Sequence, residues 1–393
     1  NELDTHHYPT YLTGVARFTN GYKVFMPTEF MHAMYDQGGG AGLRDFWDRW
    51  CTNPLFAGGF IWVYCDEAPK RSDKGGILDS DKSNAPDGVV GPRREKEGSY
   101  YAIRAQWSPI QLKPLLITNH FDGSFLLTNE YTFTNLKDCR MSYKVLTCGT
   151  PLQGNTETGK VIAEGGVQLP SINPGETGTA RFELPDSFRE GDILELEAFD
   201  KEGKSICNWT YPIHLVKRYF ERKLTQAAPT PAPPKAEARQ TADAIELKSS
   251  KVCVTFDAAT GMIRHITSGE TEVPFKDGPV AVGMKMRYEP SLSYTRHSSD
   301  GAIYCAKYKG AADSIVWRLT NEGLLYMDAI LLNRGSGGSG FDDAFMDSQI
   351  FNLGLTFSYP EQNCSGMKWM GRGPYRVWKN RIPGTNYSIW HKD

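Results

Sequence analysis

The pattern of apolar residues changes near residue 110, and this change most constrains the fold of the chain. Before that point, strand-like runs at 3–8, 23–28 and 58–64 alternate with helix-like runs. Residues 42–50 place Leu, Phe, Trp and Trp at the i, i+3, i+4 and i+7 positions of one helix face, and residues 99–107 suit a second helix. Such alternation predicts an α/β fold in which the strands are parallel.

Later residues have a different pattern, in which short alternating strands follow one another across turns such as Asp122-Gly123. About a hundred residues of this kind, at 111–217, predict an immunoglobulin-like β-sandwich. A Pro/Ala-rich run, AAPTPAPPKAEARQ, then predicts an extended linker at 218–244. Residues 245–393 are again rich in β-forming residues, beginning with a hairpin that turns near Thr260-Gly261.

The overall charge and the cysteine spacing exclude several functional classes. Lys and Arg number 44 against 46 Asp and Glu, a net charge of −2, so no strong electrostatic field favours nucleic acid or an anionic membrane. No apolar run approaches the roughly 18 residues of a membrane span. The eight cysteines form no CxxC pair, so a zinc site of the common spacing is not expected. No export signal is visible in the first residues.

Polar and aromatic side chains mark the ends of the three strands predicted before residue 110. They are His6, His7 and Tyr8 on the first, Glu29 and His32 on the second, and Trp62, Asp66 and Glu67 on the third. Chemistry collects at the carboxyl ends of parallel strands, so these residues are candidates for an active site.

Each candidate also has a purely structural interpretation. Glu29 could form a buried ion pair with Arg44 or Arg94, His32 could be a satisfied interior histidine, and Trp62 could fill the core. The adjacent histidines 6 and 7 point to opposite sides of a strand, so no metal site is predicted. The motifs GxSxG and GxxxxGK[ST] are absent from the sequence, and the GSGGSG run at 335–340 predicts a flexible loop by its composition. A carboxylate with aromatic neighbours favours glycoside hydrolysis.

Several of these segments together resemble one family. The segments are TEFMHAM at 28–34, DFWDRW at 45–50, GGFIWVYCDE at 58–67, PDGVVGPRREK at 86–96 and WMGRGPYRVWKNR at 369–381. They resemble the C-terminal portion of family 2 glycoside hydrolases, the group of the large β-galactosidases. The resemblance implies that residues 1–110 form strands 6–8 of a (β/α)8 barrel. It also implies that 245–393 form the N-terminal part of a galactose-mutarotase-like β-supersandwich.

The resemblance also implies roles for individual residues. Glu29 matches the nucleophile, which forms a covalent glycosyl-enzyme that water displaces with retention of configuration. Tyr8 matches the tyrosine that hydrogen-bonds the nucleophile. The residues matched to substrate binding are His7, His32, Trp62 and Asp87. The acid/base that completes the mechanism belongs to an earlier barrel strand, so we expect it outside this chain, which looks like part of a longer enzyme.

Departures from the family motifs bear on the substrate. Asp87 replaces an Asn that binds galactose and sodium in the family, and the NxK pair typical of glucuronidases is missing. A β-galactoside is therefore the expected substrate, another neutral β-glycoside stays open, and a uronic acid is disfavoured. A non-catalytic carbohydrate-binding or scaffold protein with a barrel remnant is the alternative.

The resemblance carries further expectations about cofactors, assembly and location. It implies Mg²⁺ or Na⁺ as metal ions, with most of their ligands outside this chain, and it predicts no other cofactor. It allows a homo-oligomer and favours a periplasmic or secreted location over a cytoplasmic one. A carbohydrate is the expected partner.

Overall fold

The structure is a computed structural model that describes residues 3–12, 21–32, 39–78, 87–113, 115–149, 159–215, 232–282, 287–309, 312–331, 354–375, 377 and 382–392. The chain forms two compact units, Asn1–Gln226 with Met367–Asp393, and Ala227–Gly366. Within the described residues, no helix combines the length and apolarity needed to cross a membrane.

The first unit begins with α/β elements and continues with strands. Its elements up to residue 215 are β1 (Leu3–Asp4), β2 (Val24–Phe25), α1 (Gly39–Trp50), β3 (Lys70–Arg71), β4 (Ile77–Leu78), α2 (Gly98–Gln106), β5 (Ile110–Leu112), β6 (Ser124–Asn129), β7 (Arg140–Thr147), β8 (Lys160–Gln168), β9 (Thr177–Arg181), β10 (Ile193–Phe199) and β11 (Ser205–Pro212). Short 3-10 helices occur at Ser72–Lys74, Leu136–Asp138 and Asp186–Glu190.

In the described residues after 215, the elements are strands together with a 3-10 helix, Glu361–Asn363. The second unit contains β12 (Glu237–Gln240), β13 (Ala244–Lys248), β14 (Val252–Asp257), β15 (Ile263–Ser268), β16 (Thr271–Glu272), β17 (Lys276–Val282), β18 (Leu292–Ser298), β19 (Gly301–Lys307), β20 (Ala312–Thr320), β21 (Leu325–Leu331) and β22 (Gly354–Ser358). The chain ends with β23 (Met367–Gly373) and β24 (Asn386–Lys392), which belong to the first unit.

The extended segments that carry the candidate site residues pair in parallel, as their sequence pattern predicts, whereas the short strands β3 and β4 pair antiparallel. β1 pairs in parallel with β2. Isolated parallel bridges extend the arrangement from His7 to Glu29, from Phe25 to Phe56 and from His32 to Trp62. Both predicted helices are present, as α1 and α2. The parallel pairing and the two helices agree with the predicted α/β pattern, and the assignment of residues 1–110 to strands 6–8 of a (β/α)8 barrel stays a prediction.

Helix α1 packs its apolar face against the segment that contains β2 and Glu29. Leu43 and Trp50 are fully buried, together with Phe25 and Phe30. The Trp50 ring lies 5.5 Å from the Phe25 ring and 5.2 Å from the Phe30 ring, measured between centroids. Two of these aromatic residues flank Glu29 closely in sequence, so this packing supports the backbone that carries the candidate nucleophile.

The described strands between residues 110 and 212 form a two-layer β-sandwich, which confirms the sandwich character, while the immunoglobulin-like assignment of 111–217 stays a prediction. One sheet has the order β11-β10-β7-β8 and the other β5-β6-β9, with every pairing antiparallel. The alternation of ILELEAF buries Leu194, Leu196 and Ala198 in one core with Phe125 and Met141. This core is built from alternate residues of both sheets, as in other sandwiches.

The C-terminal hairpin of β23 and β24 packs with the first unit. The two strands pair antiparallel from Met367 opposite Lys392 to Gly373 opposite Asn386. The backbone N–H of Tyr387, on β24, donates to the hydroxyl of Thr210 on β11. Residues 367–393 therefore group with the sandwich and not with the rest of the domain predicted to begin at residue 245.

The described residues of the second unit form a five-stranded sheet β12-β13-β14-β15-β16, a four-stranded sheet β18-β19-β20-β21 and the pair β17-β22. The hairpin predicted near Thr260-Gly261 is present between β14 and β15. Strand β12 lies inside the range predicted as linker, because Glu237–Gln240 pairs with β13. Residues 216–231 of that range and the GSGGSG run at 335–340 lie outside the described residues.

Candidate active site

Parallel pairing brings the ends of the first two segments side by side. The backbone N–H of Tyr8 donates to the carbonyl of Glu29 at 2.7 Å, and that of Thr28 donates to the carbonyl of His6 at 3.0 Å. On the other side, the N–H of Trp62 donates to the carbonyl of Met31 at 2.9 Å. Residues that are far apart in sequence therefore meet at one edge.

The Glu29 carboxylate accepts a hydrogen bond from the phenol of Tyr8. The pKa of Tyr8 is raised well above its usual value, first by burial, then by this hydrogen bond and by the negative charges of Glu29 and Asp87. A raised pKa means that the phenol keeps its proton and stays a donor. The Glu29 side chain is itself one-quarter exposed, so the carboxylate is held on one side and open on another.

His7 lies at the solvent side of the same carboxylate. Its Nε2 is 3.9 Å from the Glu29 Oε2, and its Nδ1 is within hydrogen-bond distance of the Thr28 hydroxyl at 3.2 Å. The His7 ring meets the Tyr8 ring edge-on, with centroids 4.8 Å apart. Because its side chain is 64% exposed, His7 can meet a ligand that enters from solvent.

His32 connects the site to a buried carboxylate. Its Nδ1 lies 2.9 Å from the Oδ2 of Asp87, whose side chain is only 6% exposed. The His32 ring stacks on the Tyr8 ring, with centroids 5.0 Å apart and an interplanar angle of 13°. Tyr8 therefore contacts both Glu29 and His32, and these groups form one continuous cluster with Asp87.

Trp62 adjoins this cluster through the backbone, since it forms a parallel bridge with His32. Its side chain is half-buried. The residues matched to the nucleophile, its tyrosine partner and the substrate contacts thus lie at one edge, and their roles stay predictions. The predicted alternative partners of Glu29 are engaged elsewhere: Arg44 pairs with Asp48 at 3.1 Å, and the Arg94 guanidinium lies over the Tyr64 ring at 5.4 Å.

Asp66, one of the strand-end candidates, contacts the backbone of Gly88 beside Asp87. The sequence pattern does not reveal this contact. The Gly88 N–H donates to the Oδ1 of Asp66 at 2.8 Å. Burial raises the pKa of Asp66, the Gly88 hydrogen bond opposes this, and the charges of Asp87 and Glu95 raise it further. A Cβ at Gly88 would lie 2.4 Å from the Asp66 nitrogen, so only glycine fits beside Asp87. In the sequence, the glycine directly after Asp87 is the sign of this close approach.

The donor set does not fit the metal ions that the resemblance implies. Among residues the structure describes, no group of three or more His, Cys, Asp or Glu side chains is placed to hold a metal ion. The Asp87 oxygen nearest the cluster is occupied by His32. No step of the chemistry below is therefore routed through a cation.

Comparison with known proteins supports the motif resemblance. The family described as "Beta-galactosidase, domain 4" matches residues 125–209, which lie within the sandwich. A β-galactosidase of Actinobacillus pleuropneumoniae is 26% identical over 44% of this chain and 16% of its own length. One from Klebsiella pneumoniae is 21% identical over 93% of this chain and 38% of its own length. The chain thus spans well under half the length of these relatives.

Solved structures of other glycoside hydrolases also align. The exo-chitosanase CsxA of Amycolatopsis orientalis aligns at 9% identity over 71% of this chain and 31% of its own, with a TM-score of 0.21. The β-D-mannosidase of Dictyoglomus thermophilum aligns at 12% identity over 75% of this chain and 29% of its own, with a TM-score of 0.20. Scores this low carry no structural argument. From the sequence matches, the predicted resemblance is confirmed: the chain is similar to the C-terminal portion of β-galactosidase-type family 2 glycoside hydrolases.

Proposed function

We propose that this chain carries the nucleophile side of a retaining exo-β-glycosidase site, with terminal β-D-galactose as the substrate. The observation that carries the proposal is the Glu29 carboxylate, hydrogen-bonded by a phenol and one-quarter open to solvent at the end of a parallel segment. A nucleophile in this reaction must be ionised, oriented and reachable, and Glu29 has the surroundings that this requires.

In the proposed reaction, a Glu29 oxygen attacks the anomeric carbon and the glycosidic oxygen departs with a proton from an acid/base. Water then displaces Glu29 from the glycosyl-enzyme, giving retention of configuration. Retaining enzymes keep the two carboxyl groups about 5–5.5 Å apart. We propose that the acid/base comes from a part of the full-length protein outside this chain, since the match covers 38% of the Klebsiella pneumoniae relative.

The other residues of the cluster have supporting roles in this proposal. The Tyr8 phenol orients one Glu29 oxygen and leaves the other to attack. His7 and His32 offer exposed ring edges to sugar hydroxyls, and half-buried Trp62 offers an apolar face. Aromatic faces suit the C–H surface of a pyranose, while imidazoles suit its hydroxyls.

The substrate assignment follows from the β-galactosidase relatives and from the sequence around Asp87. Both curated relatives are β-galactosidases. The loop lacks the NxK pair expected for a uronic acid. Another neutral β-glycoside is the alternative substrate, and it is tested in the same experiment.

The test uses the full-length protein that carries this chain and a panel of 4-nitrophenyl β-glycosides: galactoside, glucoside, mannoside and glucuronide. We expect the galactoside to have the highest kcat/KM. Glu29→Gln should lower kcat by about 10⁴-fold or more, as loss of a covalent nucleophile does elsewhere. The matched control is Glu202→Gln, an exposed carboxylate of the sandwich, which should leave the rate unchanged.

A covalent trap gives independent evidence for Glu29. A 2-deoxy-2-fluoro-β-galactosyl fluoride should inactivate the enzyme and add one fluorosugar to the peptide that contains Glu29, as seen by mass spectrometry. Labelling of a different carboxylate, or full activity of Glu29→Gln, would refute the nucleophile assignment. Sugar binding without hydrolysis by the full-length protein would instead support a carbohydrate-binding role.

A further inference from the structure

We infer that Asp87 acts through His32: it fixes the proton on the imidazole so that the opposite ring nitrogen accepts a hydrogen bond from a sugar hydroxyl. Asp87 would then be a positioning residue without direct contact to substrate. The inference rests on the proposed function of the site and adds the role of Asp87, which is to fix which nitrogen of His32 meets the sugar hydroxyl and whether that nitrogen accepts or donates.

Burial separates Asp87 from any ligand. The whole residue is 4% exposed, and its Oδ1 is buried with no hydrogen-bond partner among the described residues. The Oδ2 is 2.9 Å from the Nδ1 of His32. With its Oδ1 buried and its Oδ2 held by His32, the carboxylate has little surface to offer a sugar, so its influence on a substrate passes through His32.

The hydrogen bond between these residues determines the tautomer of His32. An ionised Asp87 carboxylate only accepts hydrogen bonds, so it favours the form of His32 that carries a proton on Nδ1. In the neutral imidazole, Nε2 is then an acceptor, and it has no hydrogen-bond partner within the portion of the chain that the structure describes. A sugar hydroxyl can donate to that nitrogen.

The ring orientation is also restricted. Stacking of His32 on Tyr8, at 5.0 Å and 13°, opposes rotation of the imidazole. The His32 side chain is 43% exposed while its partner carboxylate is 6% exposed, so the ring spans from the interior to solvent. Titratable groups that contact or adjoin His32 are Asp87, Tyr8 and, through Tyr8, Glu29 and His7.

The carboxylate also explains why Asp differs from an amide at this position. An amide can present either its oxygen or its NH₂ group to Nδ1, and so permits either tautomer of the histidine. An ionised carboxylate can only accept, and so permits only the tautomer that is protonated on Nδ1. Burying a charge with one oxygen unpaired is unfavourable for stability, and selection of a single tautomer is the function we assign to it.

The test is a double-mutant cycle on the full-length enzyme with 4-nitrophenyl β-galactoside. The variants are Asp87→Ala, His32→Phe and the double variant. Phe retains the ring that stacks on Tyr8 and lacks both nitrogens. We expect each single variant to lower kcat/KM about tenfold, mainly by raising KM, because one hydrogen bond to substrate is lost. In the His32→Phe background, Asp87→Ala should cost less than about twofold.

Two further measurements separate positioning from simple structural support. Asp87→Asn keeps an acceptor for Nδ1 and should recover part of the lost kcat/KM. With deoxygalactosides, the wild-type enzyme should discriminate against the analogue that lacks the donating hydroxyl, and Asp87→Ala should lose this discrimination. If Asp87→Ala does not fold, as judged by thermal unfolding, the cycle is completed with Asp87→Asn.

The outcomes are distinct. Equal effects of the Asp87 substitution in both backgrounds, or unchanged discrimination among deoxygalactosides, would overturn the inference while activity that depends on Glu29 upholds the proposed function. A wild-type protein without glycosidase activity, matched by Glu29→Gln, would overturn both.

Discussion

Tyr8 contacts the candidate site through its backbone, its phenol and its ring. Its backbone has a φ of +49°, in the left-handed region that is uncommon for a bulky residue. The N–H of Tyr8 donates to the Glu29 carbonyl, its phenol donates to the Glu29 carboxylate, and its ring stacks on His32. This conformation is stabilised by contacts on three sides, which is typical of functional sites.

We predict that Tyr8→Phe lowers kcat by about tenfold or more, because a hydrogen bond to a charged group contributes roughly 1.5–3 kcal/mol. The pKa of Tyr8 is raised, so the phenol remains protonated as the pH rises through the usual tyrosine range. Titration of Tyr8 should therefore not lower the activity near pH 10. Any alkaline loss of activity in that range should be the same in Tyr8→Phe and in the wild-type enzyme. The control is Tyr22→Phe, whose side chain is 84% exposed. An equal rate for Tyr8→Phe and wild type would contradict this role.

At the residue scale, the sequence could identify the candidate residues but not the contacts between them. Glu29, His32 and Trp62 stand out because polar or aromatic groups follow apolar runs, and family resemblance gives them roles. Stacking of Tyr8 on His32 and the close approach of Gly88 to Asp66 depend on tertiary proximity, which local pattern does not contain.

At the scale of elements, periodicity predicted most of what the structure contains. Helix α1 follows from its i, i+3, i+4, i+7 apolar face, and the sandwich strands follow from strict alternation. The first two strands are assigned over only two residues each, although bridges extend their parallel arrangement. Pattern could not show β12 within a Pro/Ala-rich run, because pairing with β13 outweighs local composition.

The side chain of Asn129, at the end of β6, connects two loops of the sandwich, which the sequence pattern did not indicate. It is fully buried, and its Nδ2 donates to the carbonyls of Thr134 and Ile172 at 2.9 Å each. Its Oδ1 accepts from the N–H of Tyr131 at 2.9 Å. A single amide therefore satisfies three backbone groups and joins two loops of the sandwich.

We predict that Asn129→Ala destabilises the sandwich by about 2–4 kcal/mol, because buried backbone groups lose their partners and a small cavity remains. Calorimetry of the purified chain should show a lower unfolding temperature for this substitution. The matched control is Asn119→Ala, since that residue is exposed and its contact to Arg189 is made by its backbone carbonyl, which alanine retains. Similar unfolding temperatures for the two variants would show that the buried amide is dispensable.

At the scale of the whole molecule, the chain returns to its first unit after completing the second. The hairpin of β23 and β24 contains the GRGPY motif, which the resemblance assigned to the domain beginning at residue 245. The structure groups it with residues 1–226. Linear order predicted one continuous C-terminal domain, and only long-range pairing could show that its last strands pack elsewhere.

Helix α2 lies where these parts of the first unit meet. Its Arg104 donates to the carbonyls of Ile206 and Ser205 on β11, at 2.7 and 3.2 Å. Its Tyr101 ring stacks on the Tyr375 ring from the segment after β23, at 5.4 Å. Gly384, just before β24, approaches the backbone of the same helix. The α/β region, the sandwich and the hairpin therefore share one helix.

Substitution of Gly384 tests whether this meeting point stabilises the unit. Gly384 has a φ of +79°, and a Cβ there would lie 2.3 Å from the Tyr101 carbonyl carbon and 2.4 Å from the Ala102 nitrogen. Gly75 has a similar φ of +69° with nothing within 4 Å of an added Cβ, so Gly75→Ala measures the backbone cost alone. That cost is roughly 1–2 kcal/mol.

We predict that Gly384→Ala destabilises the first unit by about 1–3 kcal/mol more than Gly75→Ala does, because the helix and hairpin must separate to admit the methyl group. The measurements are the unfolding temperature and the amide hydrogen exchange of α2, which should accelerate in Gly384→Ala alone. Equal unfolding temperatures and unchanged exchange in α2 would mean that the hairpin can shift freely. Faster exchange confined to α2 would show that residues nearly 300 positions apart in sequence stabilise each other.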